Sequence, residues 1–227
     1  MNPPAREPDR TAEKETSRLE AFSDGVFAIA ITLLVLDLKV PKPAELGDRS
    51  LWLALRDQWP TFLAYFTSFA TILVMWVNHH VLFGRIRRSD QMFLFLNGFL
   101  LLFVAFVPFP TALLAQYLRE TDRRPGDAHT AAAVYAGTYV ILAIAFNLLW
   151  HHAASGRRLL ARDLPEARIR EITRQYAPGI PVYGVAVALA FVSVPASFGL
   201  CLLLALFFAF TGAMPRFFER GTGSPGG

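Results

Sequence analysis

Six long apolar segments alternate with short charged segments along this chain of 227 residues. Each is close to the ~20 residues that an α-helix needs to cross the hydrocarbon core of a bilayer. Pro108 and Pro110 predict a kink in the third segment, because proline removes a helical hydrogen bond. The pattern predicts an all-α membrane protein with six transmembrane helices per subunit. The six segments are Ala21–Leu38, Pro60–Phe83, Phe93–Leu118, Thr130–His152, Ile180–Val194 and Ala196–Phe217.

The composition indicates the same class of protein. Hydrophobic residues make up 54% of the chain and 20 residues are Phe, which is more than soluble domains usually contain. The single cysteine, Cys201, excludes a disulfide within the chain and argues against a cysteine-ligated metal. We attribute the net charge of +4 to membrane topology and anionic lipid, not to nucleic acid, because the basic residues cluster between apolar segments.

The distribution of basic residues predicts the orientation of the chain. With six spans, one side of the membrane carries 15 lysines and arginines and the other carries 7. Because basic residues are enriched on the cytoplasmic side, both termini are expected to be cytoplasmic. The segment Gly156–Tyr176 is rich in arginine, with leucines and isoleucines at intervals. It predicts a basic helix, which either lies on the inner membrane surface or forms a solvated connector.

The first apolar segment has two different faces. At 100° per residue, the large side chains of Phe22, Ile29, Leu33 and Leu36 project into one narrow sector, and Thr32 lies at its margin. We call these four residues the aliphatic stripe. Such a stripe faces lipid, another helix or a symmetry axis. Asp24 lies roughly opposite Ile29 and is therefore expected to face neighbouring helices.

An aspartate near the start of a membrane helix needs a partner or water. Arg18 is six residues away from Asp24, which does not allow the usual i,i+4 pair on one helix. The predicted topology brings the end of the second span, with Asn78, His79 and His80, beside the start of the first. We therefore expect a hydrogen-bonded Asp–His network, which Arg18 could join.

Two motifs resemble those of the transmembrane protein 175 family of potassium channels, with the bacterial single-repeat members closest in size. The first is Arg18-x-x-x-Phe22-Ser23-Asp24, which opens the first span. The second is Trp76-Val77-Asn78-His79-His80, on the second span. The resemblance extends over nearly the whole chain. It implies a homotetramer in the cell membrane, in which four copies of the first helix surround a central pore.

The resemblance also implies roles for individual residues. Ile29 matches the isoleucine constriction of the family, Leu33 and Leu36 match further apolar rings, and Thr32 matches a Thr/Ser position near the filter. The expected residues of the network that braces the pore helix are Arg18, Ser23, Asp24, Asn78, His79 and His80. The sequence does not decide which of the two histidines joins it, and we favour His79. The implied domains are a disordered cytoplasmic N-terminus (1–17), a six-span channel domain (18–218) and a flexible C-terminal tail (219–227).

The pore chemistry follows from these side chains. Aliphatic rings offer no oxygen atoms to replace the hydration shell of an ion, and the chain has no Thr-Val-Gly-Tyr-Gly-like carbonyl filter. Potassium sheds water more readily than sodium, so the expected preference for K+ is weak to moderate. No cofactor is expected beyond the permeant K+, and the expected partners are further copies of the chain, membrane lipids and monovalent cations.

Three alternatives use the same residues differently. The pairs His79-His80 and His151-His152 could ligate haem or a metal in a membrane redox protein. Asp24 and a histidine could instead serve a proton-coupled transporter, or Asp24 could be purely structural in a membrane scaffold. An enzyme is not expected, because the sequence contains no G-x-S-x-G, H-E-x-x-H, P-loop or dinucleotide-binding motif.

Overall fold

The computed structural model describes the backbone of residues 7–118 and 125–220, and the side chains of residues 13–118 and 126–208. Within these ranges the chain is helical, with short connections. The helices are α1 (Glu7–Leu33), α2 (Pro43–Leu46), α3 (Leu51–Arg56), α4 (Trp59–Phe83), α5 (Gln91–Phe106), α6 (Pro108–Leu118), α7 (Pro125–Ala154), α8 (Glu166–Tyr176), α9 (Gly179–Ala190) and α10 (Val194–Arg220). Two 3-10 turns, Leu34–Asp37 and Ser155–Arg157, follow α1 and α7.

Four helical stretches in the described residues are long and apolar enough to cross a membrane. They are Glu13–Asp37, Trp59–Phe83, Gln91–Leu118 and Gly126–Arg157. The two remaining predicted spans are also helical, but α9 has only 12 residues and the described apolar part of α10, Val194–Phe208, is short. The third stretch is divided at Val107, immediately before Pro108, as the two prolines of this stretch predict.

Helix α7 is the centre of the subunit and α1 lies at its edge. Helices α5, α6, α9 and α10 all pack against α7, whereas α1 packs mainly against α4 and α5. Within the most apolar part of each span, 56% of the α7 residues are buried but only 22% of the α1 residues are. Small side chains on α7 allow neighbouring helices to approach closely. These buried alanines are Ala128, Ala131, Ala132, Ala136, Ala145 and Ala153.

A cluster of hydroxyl groups connects three helices in the interior. The Ser68 hydroxyl of α4 lies 2.7 Å from the Thr111 hydroxyl of α6 and 3.2 Å from the Tyr135 hydroxyl of α7. Tyr139 donates a longer hydrogen bond of 3.4 Å to Tyr135. Because a buried hydroxyl without a partner is costly in an apolar interior, this cluster fixes the register of α4, α6 and α7.

Two segments differ from the sequence-based expectations. The region up to residue 17 is expected to be disordered, yet α1 begins at Glu7, since its glutamates and Lys14 are good helix formers that extend the apolar helix. Residues 1–6 and 221–227 lie outside the described backbone. The segment Gly156–Tyr176 does not form one basic helix, because only its second half, α8, is helical. Its first half pairs instead with the segment after α4, through an antiparallel bridge between Ile86 and Leu160.

Candidate functional site: the first helix and its anchors

The aliphatic stripe of α1 points away from the rest of the subunit. Phe22, Ile29, Leu33 and Leu36 are 64%, 60%, 41% and 72% exposed. Thr32 is also exposed, and its hydroxyl donates a 2.9 Å hydrogen bond to the Ile29 carbonyl one turn earlier. The structure therefore places the four predicted pore residues, together with Phe22, on one uncovered face of an edge helix. The predicted pore residues are Ile29, Thr32, Leu33 and Leu36.

The opposite face of α1 is fully packed. Ser23, Phe27, Ala30 and Leu34 recur at spacings of three or four residues, and each is at most 1% exposed. This spacing is the helical period of a buried face. Leu34 is buried in the 3-10 turn after α1, and this turn packs against α4 and α6, so the buried face continues beyond the end of the α-helix.

Ser23 begins a chain of hydrogen bonds that crosses three helices. Its hydroxyl donates to the Leu19 carbonyl at 2.9 Å and accepts from the Asn97 amide of α5 at 2.9 Å. The Asn97 carbonyl oxygen lies 2.9 Å from Nε2 of His79 on α4. Ser23, Asn97 and His79 have no exposed surface. We call these bonds the Ser–Asn–His chain, and they tie α1 to both of its neighbouring helices.

The donor and acceptor roles in the Ser–Asn–His chain determine which nitrogen of His79 carries the proton. Because the Asn97 oxygen can only accept, Nε2 of His79 must carry the proton and donate. The other nitrogen, Nδ1, is buried and has no hydrogen-bond partner among the described residues. The imidazole stacks on Phe83 with a centroid distance of 4.3 Å and lies 5.3 Å from the Phe27 ring. The site therefore suits a neutral imidazole that donates one hydrogen bond.

A second set of contacts joins α1 to α4 closer to the surface. The Trp76 indole N–H donates to a carboxylate oxygen of Asp24 at 2.8 Å. The next turn of α4 places Nδ1 of His80 2.9 Å from a carboxylate oxygen of Glu20. The rings of Trp76 and His80 stack at 6.0 Å, so the two contacts support each other. Asp24 thus has an indole as its partner, where the sequence predicts a histidine.

The remaining members of the predicted network lie elsewhere. Arg18 is exposed and forms no ion pair or hydrogen bond with another described residue. Asn78 is buried but lines a small cavity of about 60 Å³ between α4, α7, α9 and α10, on the far side of α4 from α1. The structure therefore brings Ser23 and His79 together through Asn97, and brings Asp24 and His80 to α1–α4 contacts of their own.

Asn97, Trp76 and Glu20 are the contacts that the sequence analysis missed. Asn97 had a recognisable signal, because it is the single polar side chain in the apolar run from Phe93 to Phe106. A lone amide at such a position usually forms a hydrogen bond between helices. Trp76 and Glu20 had no comparable signal, since both residue types are common near the ends of membrane helices.

The N-terminus of α5, which carries Asn97, is anchored by Asp90. The Asp90 carboxylate caps the helix by accepting from the Phe93 N–H at 2.8 Å, and it pairs with Nε2 of His152 on α7 at 2.9 Å. Burial by itself would raise the pKa of Asp90, but these hydrogen bonds and the nearby Arg158 charge lower that pKa below its usual value. The cap therefore remains charged at neutral pH and holds α5 in register with α7.

Three of the four histidines of the redox alternative have other partners. His79 is bonded to Asn97, His80 to Glu20 and His152 to Asp90, whereas His151 is exposed. Among residues whose side chains are described, no group of three or more His, Cys, Asp or Glu is placed to hold a metal ion.

Comparison with known proteins identifies the family. A family model described as the endosomal/lysosomal potassium channel TMEM175 matches residues 18–108. A potassium channel of Chamaesiphon minutus is 52% identical over 87% of this chain and 95% of its own length. A potassium channel of Streptomyces collinus is 50% identical over 86% of this chain and 92% of its own.

Solved structures and animal relatives agree with this assignment. The crystal structure of a lysosomal potassium-selective channel TMEM175 homologue from Chamaesiphon minutus superposes with a TM-score of 0.78, at 50% identity, covering 88% of this chain and 99% of that one. The human endosomal/lysosomal proton channel TMEM175 is 41% identical over 59% of this chain, which matches only 27% of the human protein. These relatives are ion channels in membranes and not enzymes. The chain is a membrane protein that belongs to the TMEM175 family.

Proposed function

We propose that this protein is a potassium-permeable cation channel in which α1 lines a central pore formed by four identical subunits. The observation that carries the proposal is the exposed aliphatic stripe on an edge helix whose other face is fastened by hydrogen bonds. The names of two relatives that are half identical to this chain, both potassium channels, favour the same function. A subunit with one such helix must assemble with copies of itself to enclose a pore.

The proposed topology has six spans, with both termini in the cytoplasm. Helix α10 has 27 residues and is about 40 Å long at 1.5 Å per residue, enough to cross a bilayer. Helix α9 has 12 residues and is about 18 Å long, so it crosses only with the help of its flanking segments. The excess of basic residues on the side of both termini supports the orientation.

The proposed constriction consists of the rings of Ile29, Leu33 and Leu36. A narrow apolar ring blocks ions by losing its water, and a wider one passes ions that keep part of their hydration shell. Because potassium loses water more easily than sodium, such a ring favours potassium to a weak or moderate degree. The Thr32 hydroxyl donates a hydrogen bond to the Ile29 carbonyl, so the hydroxyl oxygen remains an acceptor for water near the constriction.

The deciding experiment measures potassium and sodium flux in vesicles that contain the purified protein. We expect faster potassium flux in the wild type, and Ile29→Asn should increase total flux and reduce the preference for potassium, because a polar ring remains wet. The matched control is Leu102→Asn on α5, which is equally exposed at 62% but lies on another helix. Equal behaviour of both variants, or unchanged flux in Ile29→Asn, would place the constriction elsewhere.

Two further measurements address stoichiometry and the permeant ion. Chemical cross-linking in membranes should yield species up to four subunits, and a ladder that ends at two would contradict the tetramer. A pH-sensitive dye in the same vesicles tests proton entry, which the name of the human relative makes relevant. Saturable, slow flux coupled to protons would favour the transporter alternative, whereas single-channel steps would exclude it.

A further inference from the structure

A cleft lined by arginines opens where the segments after α4 and α7 meet. Its volume is about 380 Å³, at the lower end of the ~300–1,000 Å³ that small-molecule sites span. The lining consists of five arginines, one acidic residue and one leucine, so positive charge dominates. We call it the arginine cleft, and its lining residues are Glu13, Arg87, Arg88, Arg157, Arg158, Leu160 and Arg162.

The backbone holds the two arginine-bearing segments together. The Arg87 N–H donates to the Leu159 carbonyl at 2.9 Å, and the Ala161 N–H donates to the Arg85 carbonyl at 2.9 Å. The backbones that carry the arginines are therefore held together on the two sides of this short pairing. The guanidinium of Arg157 is itself positioned by a hydrogen bond to the Leu164 carbonyl. A positioned guanidinium loses less entropy on binding an anion than a mobile one does.

Among the described side chains, carboxylates lie close to Arg87, Arg157 and Arg158 of the cleft. Glu13 lies 4.0 Å from Arg87, and Glu166 lies 4.0 Å from Arg157, both at the outer limit of an ion pair and both with well exposed side chains. Exposed pairs of this kind contribute little. Arg158 has the Asp90 carboxylate nearby, but that group is already bonded to Phe93 and His152. The cleft thus concentrates more positive than negative charge around an open volume.

We propose that the arginine cleft binds an anion that carries two or more phosphate groups. Guanidinium groups bind phosphate oxygens in pairs, and five of them exceed what one phosphate requires. The cleft follows directly after the apolar helices α4 and α7. In the proposed topology, on which this step rests, the ends of these helices lie at the level of the phospholipid headgroups. Basic pockets at the ends of membrane helices bind diphosphorylated lipid headgroups of the cardiolipin type. A soluble diphosphate offers the same chemistry.

An anion bound in the arginine cleft would alter a contact of α1, because Glu13 lines the cleft. This residue belongs to α1, the helix that carries the aliphatic stripe, and it is the acidic residue of the lining. A phosphate group would compete with the Glu13 carboxylate for Arg87. Removing that carboxylate should therefore strengthen binding, whereas removing arginines should weaken it, and the two opposite signs distinguish a specific site from general surface charge.

The test is native mass spectrometry of the purified, delipidated protein titrated with cardiolipin, phosphatidylglycerol and, separately, pyrophosphate. The double variant Arg158→Gln/Arg162→Gln should lose about tenfold or more in cardiolipin affinity, because each hydrogen bond to a charged group contributes a factor of that order. Both side chains are exposed, so folding should be retained. Glu13→Gln should bind more tightly than the wild type.

The matched control is Arg49→Gln/Arg56→Gln, which removes the same charge near Asp57, at the opposite end of α1. Loss of cardiolipin binding alone in the cleft variant assigns a lipid ligand, and loss of pyrophosphate binding alone assigns a soluble one. The proposal is overturned if neither cardiolipin nor pyrophosphate binds, or if the control variant loses as much affinity as the cleft variant. It is equally overturned if cardiolipin binds no better than phosphatidylglycerol and pyrophosphate does not bind. It is also overturned if Glu13→Gln weakens binding.

Discussion

The two faces of α1 meet opposite requirements. The inner face, with Ser23, Phe27, Ala30 and Leu34, is buried completely within one subunit and bonded to α4 and α5. The outer face, with the aliphatic stripe, is largely exposed, at 41–72% for its four side chains. Packing inside the subunit therefore explains the inner residues but not the outer ones. The outer residues must be explained by what lies beyond the subunit, which is lipid or further copies of α1.

This contrast gives a clear expectation for mutations. A change on the inner face should lower the stability of the subunit first and alter ion flux only as a consequence. A change on the outer face should leave the stability of the subunit nearly unchanged and alter flux directly. The comparison fails if variants on the two faces cannot be separated by these two measurements.

The largest effect on stability is expected at Leu34, and Leu36, two positions later, provides the comparison. Leu34→Ala should lower the free energy of unfolding by about 2 kcal/mol or more through the cavity it leaves, at the low end for buried leucines because lipid is as apolar as the core. Leu36→Ala, at 72% exposure, should change it by less than about 0.5 kcal/mol. Denaturant unfolding in mixed micelles measures both, and equal losses would contradict the two-face comparison.

The Ser–Asn–His chain should give the next largest effect. Asn97→Leu removes the donor to the Ser23 oxygen and the acceptor of the His79 N–H in a fully buried site, while Ser23 keeps its own bond to the Leu19 carbonyl. Because interhelical hydrogen bonds in membranes contribute about 0.6 kcal/mol on average and up to about 1.7, losing both should cost about 1–2 kcal/mol. The control is Phe95→Leu on the same helix, with a side chain that is 68% exposed. If Asn97→Leu left the free energy of unfolding unchanged, the Ser–Asn–His chain would not anchor α1.

How far the sequence predicts this arrangement depends on the range of the interactions. The spans and the stripe follow from apolar length and from the helical period, both of which are local properties of the sequence. The Ser–Asn–His chain joins residues 74 and 18 positions apart, and nothing local pairs Ser23 with Asn97. The same applies to the bridge between Ile86 and Leu160, because neither flanking segment has a strand-like alternation.

The partner of Asp24 is another contact that the sequence alone does not determine. The topology places the end of α4 beside Asp24, but it does not specify which side chain of α4 reaches the carboxylate. Residues 76 and 80 are one turn apart and share a face of α4, whereas His79 points toward α5. Trp76 therefore binds Asp24, and the histidines go to Asn97 and Glu20.

The contact between Asp24 and Trp76 should give a smaller effect. Trp76→Phe keeps an aromatic ring against His80 but removes the indole N–H, which should cost about 1 kcal/mol or less. Asp24→Asn should be milder still, because its carbonyl oxygen can accept the same bond. Thermal unfolding monitored by size-exclusion chromatography ranks the two, with Trp59→Phe as an exposed control. A larger loss in Asp24→Asn than in Trp76→Phe would show that the negative charge itself is required.

The smallest effect on stability, and the sharpest test of the outer face, is expected at Thr32. Thr32→Val keeps the shape of the side chain and removes a hydroxyl that, among the described residues, bonds to the Ile29 carbonyl of its own helix. The free energy of unfolding should therefore change by less than about 0.5 kcal/mol. If the hydroxyl oxygen orders water beside the constriction, the ratio of potassium to sodium flux should fall while total flux remains similar. Vesicle flux with paired ion gradients measures this ratio, and Thr130→Val, whose hydroxyl also bonds back into its own helix, is the control. An unchanged ratio in Thr32→Val would leave the aliphatic rings as the sole source of selectivity.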